Sequence, residues 1–172
     1  MSSKVLPART RGVDKTEFCR TCAKFPTGVT IVTVLDGTGS PHGMTASSFT
    51  SVSLDPPLVL VCVDHRARVL EHLRRADHVG INVLSEHQRE LSERFARRGG
   101  DRFDGIDWCA GETGVPLIPG VLASLECRLS DVVNAGDHVI VIAEVKHINH
   151  RDGRPLIYFG SGYHRLDGAS GA

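Results

Sequence analysis

The sequence predicts a mainly β domain of the α+β class, a β-barrel with helices at its periphery. Three observations carry that expectation. About seven β-rich segments stand against three helical ones, the strands mostly follow one another in the chain, and no Gly-x-Gly-x-x-Gly turn links a strand to a helix. The last point argues against a doubly wound sheet with a Rossmann-type cofactor site. At 172 residues the chain has the length of one domain and can bury a core without disulfides or metal.

Residues 1–13 mix Ser, Pro, Gly and Arg without periodicity and read as a flexible arm before a domain spanning 14–166. A helix is expected over 14–25, with Phe18, Cys22 and Phe25 on one face, ended by Pro26 and followed by Gly28 in the turn. The β-branched run 29–34 is a strand, and Asp36-Gly37 is a hairpin-type turn. Residues 41–53 are polar but compatible with a strand, until Asp55-Pro56-Pro57 interrupts them. The apolar run 58–63 then reads as a strand buried on both faces at the centre of the fold.

Asp64 is placed to cap a helix over 65–76, with Val69, Leu70, Leu73 and Ala76 turned inward. Residues 78–84 form the next strand. Ser85, followed three residues later by Gln88, is a capping-box pattern that opens a helix reaching about Arg97, where Gly99-Gly100 stops it. A Gly- and Asp-rich loop over 100–119 carries the only tryptophan, Trp108. Two long strands, 121–133 and 136–148, flank a turn at Asn134-Ala135-Gly136-Asp137. A short strand over 156–160 follows, and the small polar tail 167–172 reads as disordered.

Composition excludes several functions. Twenty basic residues balance twenty acidic ones, so no net field recruits nucleic acid or an anionic membrane. No apolar run approaches the roughly 18 residues that span a bilayer, and the N-terminus has no apolar signal core, so the expected location is cytoplasmic. Five cysteines at irregular spacing make no disulfide framework, and Cys62 and Cys127 read as small core residues. Cys19 and Cys22 match Cys-x-x-Cys but lack both the βαβ context of a redox motif and the second ligand pair of a zinc site, which leaves helical packing. His147, His150 and Asp152 lack a fourth ligand, so no metal is expected.

The chemistry concentrates in residues 42–57, HGMTASSFTSVSLDPP. Small and hydroxylated residues leave backbone N–H and C=O groups accessible, which suits a flat ligand with donors and acceptors on its edge. The same composition also describes a solvent-facing strand, and the residues alone leave both readings open.

A series of signatures narrows the choice. Phe25-Pro26-Thr27-Gly28-Val29, Gly43-Met44-Thr45-Ala46-Ser47-Ser48-Phe49-Thr50-Ser51-Val52-Ser53 and Pro56-Pro57-Leu58-Val59 come first. Gly114-Val115-Pro116, Leu125-Glu126-Cys127, Gly136-Asp137-His138, Pro155-Leu156-Ile157-Tyr158 and Gly162-Tyr163-His164-Arg165-Leu166 follow in order. Over residues 16–166 the chain resembles the flavin reductase-like family, whose fold is a Greek-key-like split barrel that binds FMN. That family includes reductase components of two-component flavin-dependent monooxygenases. The resemblance implies an NAD(P)H:flavin oxidoreductase that passes hydride from NADH or NADPH to a non-covalently held FMN or FAD. It also implies a homodimer with each flavin near the subunit interface, and a monooxygenase that receives the reduced flavin.

Carried onto this chain, the resemblance sets Met44, Thr45, Ala46, Ser47 and Ser48 along the isoalloxazine edge and ribityl chain, with Pro26, Thr27 and Gly28 near the ring. Cys62, Asp64, Arg66 and Arg68 lie where a strand meets a helix N-terminus, a place that favours an anion such as the flavin phosphate. Relatives often carry Ser or Asn in this turn, where His65, Arg66 and Ala67 stand here, and a solvated helix face competes with the phosphate reading. Phe95 and Ala96 fall where the family's helix approaches the flavin, although a core-facing Phe95 paired with Leu91 is an equal reading. His138 is the catalytic candidate, set beside the nicotinamide to orient it or to assist proton transfer, and Tyr158 and Tyr163 are candidates to pack on the nicotinamide or the flavin, with a core or hairpin role as the competing reading. Two other functions use the same barrel. One is a flavin-binding redox or sensory protein with little NAD(P)H turnover. The other is an oxidase of the pyridoxamine-phosphate type, which the neutral charge and the order of signatures disfavour.

Overall fold

The computed structural model describes residues 12–166, so the tail at 167–172 and most of the expected arm lie outside the described residues. Helix α1 (Lys15–Cys22) opens the domain, with the Asp14 carboxylate accepting from the Thr16 and Glu17 amides at 3.0 and 3.1 Å. It stops short of Phe25, because Pro26 has no N–H to offer the Cys22 carbonyl, which accepts from the Phe25 amide in a turn at 3.0 Å before the two-residue strand β1 (Thr27–Gly28) begins. No residue of α1 is buried, and Phe18 and Phe25 are 60% and 75% exposed. The expected apolar face therefore has no partner among the described residues, and Cys19 and Cys22 are exposed rather than packed.

The barrel is built from β2 (Thr30–Leu35), β3 (Pro41–Ala46), β4 (Thr50–Leu54), β5 (Pro57–Asp64) and β6 (His78–Val83), together with two long strands introduced below. Helix α2 (Val69–Leu73) lies between β5 and β6, and α3 (Arg89–Ala96) follows β6. The short hairpin β7 (Cys109–Ala110) and β8 (Pro116–Leu117) punctuates the long loop. The long strands β9 (Ala123–Ala135) and β10 (His138–His150) meet at Gly136-Asp137, where Gly136 takes φ +66°. The last pair, β11 (Ile157–Phe159) and β12 (Gly162–His164), joins β1 in a three-stranded sheet.

The seven-stranded sheet is antiparallel throughout, in the order β3-β2-β6-β9-β10-β5-β4, as a mainly β fold requires. Its end strands, β3 and β4, are consecutive in the chain. Residues 47–49 thus carry the backbone from one edge of the sheet to the other, and Ser48 pins that crossing. Its hydroxyl accepts from the Cys62 amide at 2.9 Å and donates to the Cys62 carbonyl at 3.3 Å, two positions beyond the Thr50–Leu60 pair of the β4–β5 register.

Inside the barrel, Val32, Val34, Val59, Val61, Val63, Val79, Ile81, Cys127, Val139 and Val141 pack together, and α2 adds Val69, Leu70 and Leu73. A second core of Val29, Ile31, Leu84, Phe95, Phe103, Ile118 and Leu156 lies on the other face of β2. So β2, not the run 58–63, is the strand covered on both sides. Along β5, Val59, Val61 and Val63 are buried while Leu58, Leu60 and Cys62 are only half-buried. An unbroken apolar run shows that both faces of a strand are apolar, not that both are covered.

Two local expectations also change. Asp64 does not cap a helix: it folds back on the Arg66 amide at 2.8 Å, and α2 begins only at Val69 with no side-chain cap. The Ser85–Gln88 pattern makes half of a capping box, since Gln88 Oε1 accepts from the Ser85 amide at 2.9 Å. Those four residues form a turn, and α3 starts after them.

Two buried features fix the elements around the site. Asn82, fully buried on β6, donates to the Ile31 carbonyl and the Thr33 hydroxyl and accepts from the Ile118 amide at 2.9 Å, which anchors the long loop to the barrel wall. A Cβ at Gly43 would lie 2.9 Å from both the Phe95 ring and the Val32 carbonyl, so only glycine lets β3 sit flush against α3.

Candidate active site

One cleft collects half of the predicted cofactor residues. Its walls come from the end of β3 (Met44, Thr45), the end of β5 and its turn (Asp64, Arg66, Ala67, Arg68), the end of α3 (Phe95, Ala96) and the loop beyond it (Arg98, Gly99, Arg102), around about 290 Å³. Strand ends and a helix end converge here because Gly43 and the Thr45 hydroxyl hold α3 to β3, the latter by donating to the Ser92 carbonyl at 2.6 Å.

The charges in this cleft do not cancel. Arg66 grips Asp64 through Nη2–Oδ2 at 2.7 Å and Nε at 3.1 Å, and that hydrogen bond, followed by the one from the Arg66 amide, holds the Asp64 carboxyl well below the usual range. Arg102 reaches across to the Gly43 carbonyl at 2.5 Å and the Arg97 carbonyl at 2.6 Å. Burial lowers its basicity first, and the charge of Arg68 lowers it further. Arg68 and Arg98 form no ion pair or side-chain hydrogen bond among the described residues. Two uncommitted guanidinium groups beside a third that feels the repulsion of Arg68 make a place for an anion.

The source of that attraction differs from expectation. A helix of five residues with an uncapped start contributes little, and the guanidinium groups supply the field. Arg98 and Arg102 are absent from the sequence-based set. Their signal is the run Arg97-Arg98-Gly99-Gly100-Asp101-Arg102, which reads as a helix stop and doubles as a basic loop.

The hydroxyl-rich strand behaves differently. Thr45 and Ser48 are engaged within the protein, Ala46 is buried with its carbonyl accepting from Thr30 at 2.9 Å, and only Ser47 is exposed. The buried Thr27 hydroxyl on β1 has no hydrogen-bond partner, an omission that a ligand acceptor or donor would correct. Pro26 and Gly28 flank it and are exposed. Thr27 stands opposite Tyr158, whose ring meets Tyr163 edge-on at 5.3 Å. The Tyr163 hydroxyl is 2.8 Å from Ser92 Oγ, and Arg89 lies 5.4 Å over the Tyr163 ring. Through Ser92, then, the β1 sheet and β3 are joined to one helix.

Position adds detail to two of the predicted roles. Phe95 is completely buried, 5.0 Å from Phe103 in an edge contact, so its ring supports the cleft from beneath and presents no open face to a ligand. His138 and the tyrosines also do not form one group. His138 begins β10, with Nδ1 2.7 Å from Asp137 Oδ1 and Asp64 as its cross-strand partner, whereas Tyr158 and Tyr163 stand in the separate three-stranded sheet. His138 thus stands across from Asp64 at the arginine end of the cleft, and Tyr163 meets α3 at Ser92. Cys62 contributes its backbone to Ser48 and is not in the cleft wall.

Against known proteins, the profile described as "Flavin reductase like domain" matches residues 22–167. The chain belongs to the flavin reductase-like family. Among its relatives, the FMN reductase (NADH) SmoA of Agrobacterium fabrum (strain C58) is 45% identical over 155 residues, covering 90% of this chain and 88% of that protein. The reductase subunit HsaB of a flavin-dependent monooxygenase from Rhodococcus jostii is 37% identical over 152 residues, covering 88% and 77%. Among solved structures, the Streptomyces globisporus NADH:FAD oxidoreductase SgcE6, in complex with NAD and FAD fragments, superposes with a TM-score of 0.87 at 38% identity, over 92% of this chain and 96% of that one. The chain spans about half the length of other curated relatives, 45% and 60% of two from Rhizobium meliloti. The fold of the family, a mainly β barrel with peripheral helices, is the fold described above.

Proposed function

We propose that this chain is an NAD(P)H:flavin oxidoreductase that reduces FMN or FAD and releases it to a partner monooxygenase. The observation that carries the proposal is the single cleft joining Met44 and Thr45 of the motif strand to the uncommitted Arg68 and Arg98. A nucleotide-bearing ring needs both a flat edge and an anion seat, and the cleft offers both. The unpartnered Thr27 hydroxyl adds a polar group awaiting a ligand. When bound, flavin supplies the redox chemistry by accepting hydride at N5 from the nicotinamide C4.

The protein's own work is binding and orientation. Backbone groups of 44–48 line the ring edge, because the Thr45 and Ser48 hydroxyls are engaged elsewhere. Arg68 and Arg98 hold the phosphate. His138, steered by Asp137, orients the nicotinamide, and Tyr158 and Tyr163 pack on the nicotinamide or the flavin. A homodimer fits the exposed apolar residues Phe18, Phe25, Leu54 and Ile148. No helix among the described residues is long and apolar enough to cross a membrane.

The test is oxidation of NADH and of NADPH, each with riboflavin, FMN and FAD, alongside stopped-flow bleaching of flavin-loaded protein. Turnover with either nicotinamide supports the proposal. Flavin that binds but is bleached by neither would leave a flavin-binding redox or sensory protein instead. His138→Ala is expected to slow hydride transfer more than it weakens flavin binding, and unchanged kinetics would remove His138 from the mechanism.

A further inference from the structure

We infer that the cleft continues into a second subsite, one that takes the adenosine diphosphate portion of FAD and makes FAD the preferred flavin; this rests on the flavin reductase reading. A groove of about 450 Å³ adjoins the arginine cleft and shares Arg68, Gly99 and Arg102 with it. The shared residues are where a pyrophosphate would lie. A ligand anchored by its first phosphate between Arg68 and Arg98 meets Arg68 and Arg102 again on the far side.

Beyond that point the groove is lined by His42 and His72. Their rings are stacked, with centroids 3.8 Å apart and an interplanar angle of 14°. His42 comes from β3 and is fixed by Asp36, with Nε2 2.9 Å from Oδ2, while Asp36 is itself held by the Thr38 and Ser40 amides. His72 comes from the last turn of α2. These two histidines and Asp36 lie close enough to suggest a metal ion. Nearly parallel rings, however, point their lone pairs along parallel planes, the geometry of a platform and not of two ligands converging on one ion.

A platform of two flat rings at the end of a cationic groove matches adenine followed by two phosphates, since purines stack on aromatic faces with little sequence or ring specificity. Asp101, exposed in the same wall and bonded to the Phe103 amide at 2.9 Å, offers a carboxylate for ribose hydroxyls. FMN fills only the first subsite. The same adenosine diphosphate group is present in NADH, but only FAD reaches this groove through a phosphate already seated between the arginines.

The test is equilibrium dialysis with oxidised FAD, FMN and riboflavin, on the parent protein and on His72→Ala and His72→Phe, with KM for NADH measured in parallel. The expected result is FAD bound more tightly than FMN by the parent. His72→Ala should lose roughly tenfold in FAD affinity with FMN unchanged, and His72→Phe should recover most of it because stacking survives. Equal affinity of the parent for FAD and FMN would overturn the inference, as would equal loss of both flavins in His72→Ala. A rise in KM for NADH with FAD binding intact would assign the platform to the nicotinamide dinucleotide and overturn it as well. Dialysis reads binding without turnover, so a protein that binds FAD selectively but oxidises no NADH would refute the reductase reading while leaving this one standing.

Discussion

The two halves of the cleft solve opposite problems. On the β3 side, chemically useful groups are already in use: the Thr45 hydroxyl holds α3, the Ser48 hydroxyl holds β5, and Ala46 is buried. On the arginine side, Arg68 and Arg98 hold nothing among the described residues, and Arg102 is destabilised by burial and by Arg68. A polar residue in a binding motif can therefore be architecture. The groups that await a ligand are the ones the fold leaves without partners, and here those are the guanidinium groups and the Thr27 hydroxyl.

The largest test of this contrast is Arg68→Ala combined with Arg98→Ala. Flavin nucleotide binding should weaken about ten- to a hundredfold, riboflavin binding should hardly change, and thermal stability should stay within about 0.5 kcal/mol, the usual range for exposed sites. Dialysis with FMN and riboflavin reads the first part, and a melting curve reads the second. Loss of riboflavin binding as well would place the arginines in ring recognition and collapse the distinction.

Ser48→Ala should behave in the reverse manner. It leaves the Cys62 amide and carbonyl without their partner, a cost of about 1–3 kcal/mol, visible as a fall of several degrees in Tm. Flavin affinity measured well below Tm should fall much less. An unchanged Tm with abolished flavin binding would make Ser48 a ligand contact.

Glu126 extends the comparison to an internally satisfied charge. Its buried carboxylate accepts from the Glu112 amide at 3.1 Å and from the Thr113 amide and hydroxyl at 2.7 Å each. Burial, the largest influence, raises its pKa, but the Thr113 and Glu112 hydrogen bonds outweigh it and the net shift is downward. A folded-state value below the unfolded one means that its stabilisation is present above the ordinary carboxylate range and lost as pH falls through the lowered value. Glu126→Gln should lose about 1–2 kcal/mol near pH 7. It should also show a flatter decline than the parent from about pH 5 downward by denaturant titration, and identical acid profiles would remove Glu126 from the acid response.

The smallest expected effect concerns the thiols. Burial pushes Cys127 up to about 12, whereas Cys19, Cys22 and Cys109 are exposed. Alkylation of the folded protein at pH 8 should modify the exposed three and spare Cys127, with no loss of flavin affinity. Rapid labelling of Cys127 would mean that the barrel core opens on the timescale of the reaction.

How much of this was legible in the sequence depends on whether a signal was local. Gly and Pro punctuation, β-branched runs and apolar periodicity placed most elements within a few residues. The errors arose where a residue's role depends on what covers it. The run 58–63 is apolar on both sides but covered on one, while β2 is backed by α3 and the long loop, neither of which is near it in sequence. Likewise Asp64 has the chemistry of a cap, yet Arg66, two residues away, captures it before a helix can form. The family signatures pointed to the motif strand, while Arg66 and Arg68 followed from the junction of a strand with a helix start, in a turn where the chain departs from its relatives. Arg98 and Arg102 were hidden because a basic run beside Gly-Gly looks like ordinary helix punctuation, and only folding brings it opposite Arg68.

The crossing at residues 47–49 has a mechanical meaning for such a protein. Six joins between neighbouring strands are backbone ladders, whereas β3 and β4, the two ends of the sheet, are linked by a three-residue strap fastened by one serine. The cylinder thus has a seam, and the seam runs through the same sixteen residues that bear the binding motif. Loosening it would disturb the ligand wall while sparing the ladders of β9 and β10, so occupancy of the site and closure of the fold draw on one shared stretch of chain.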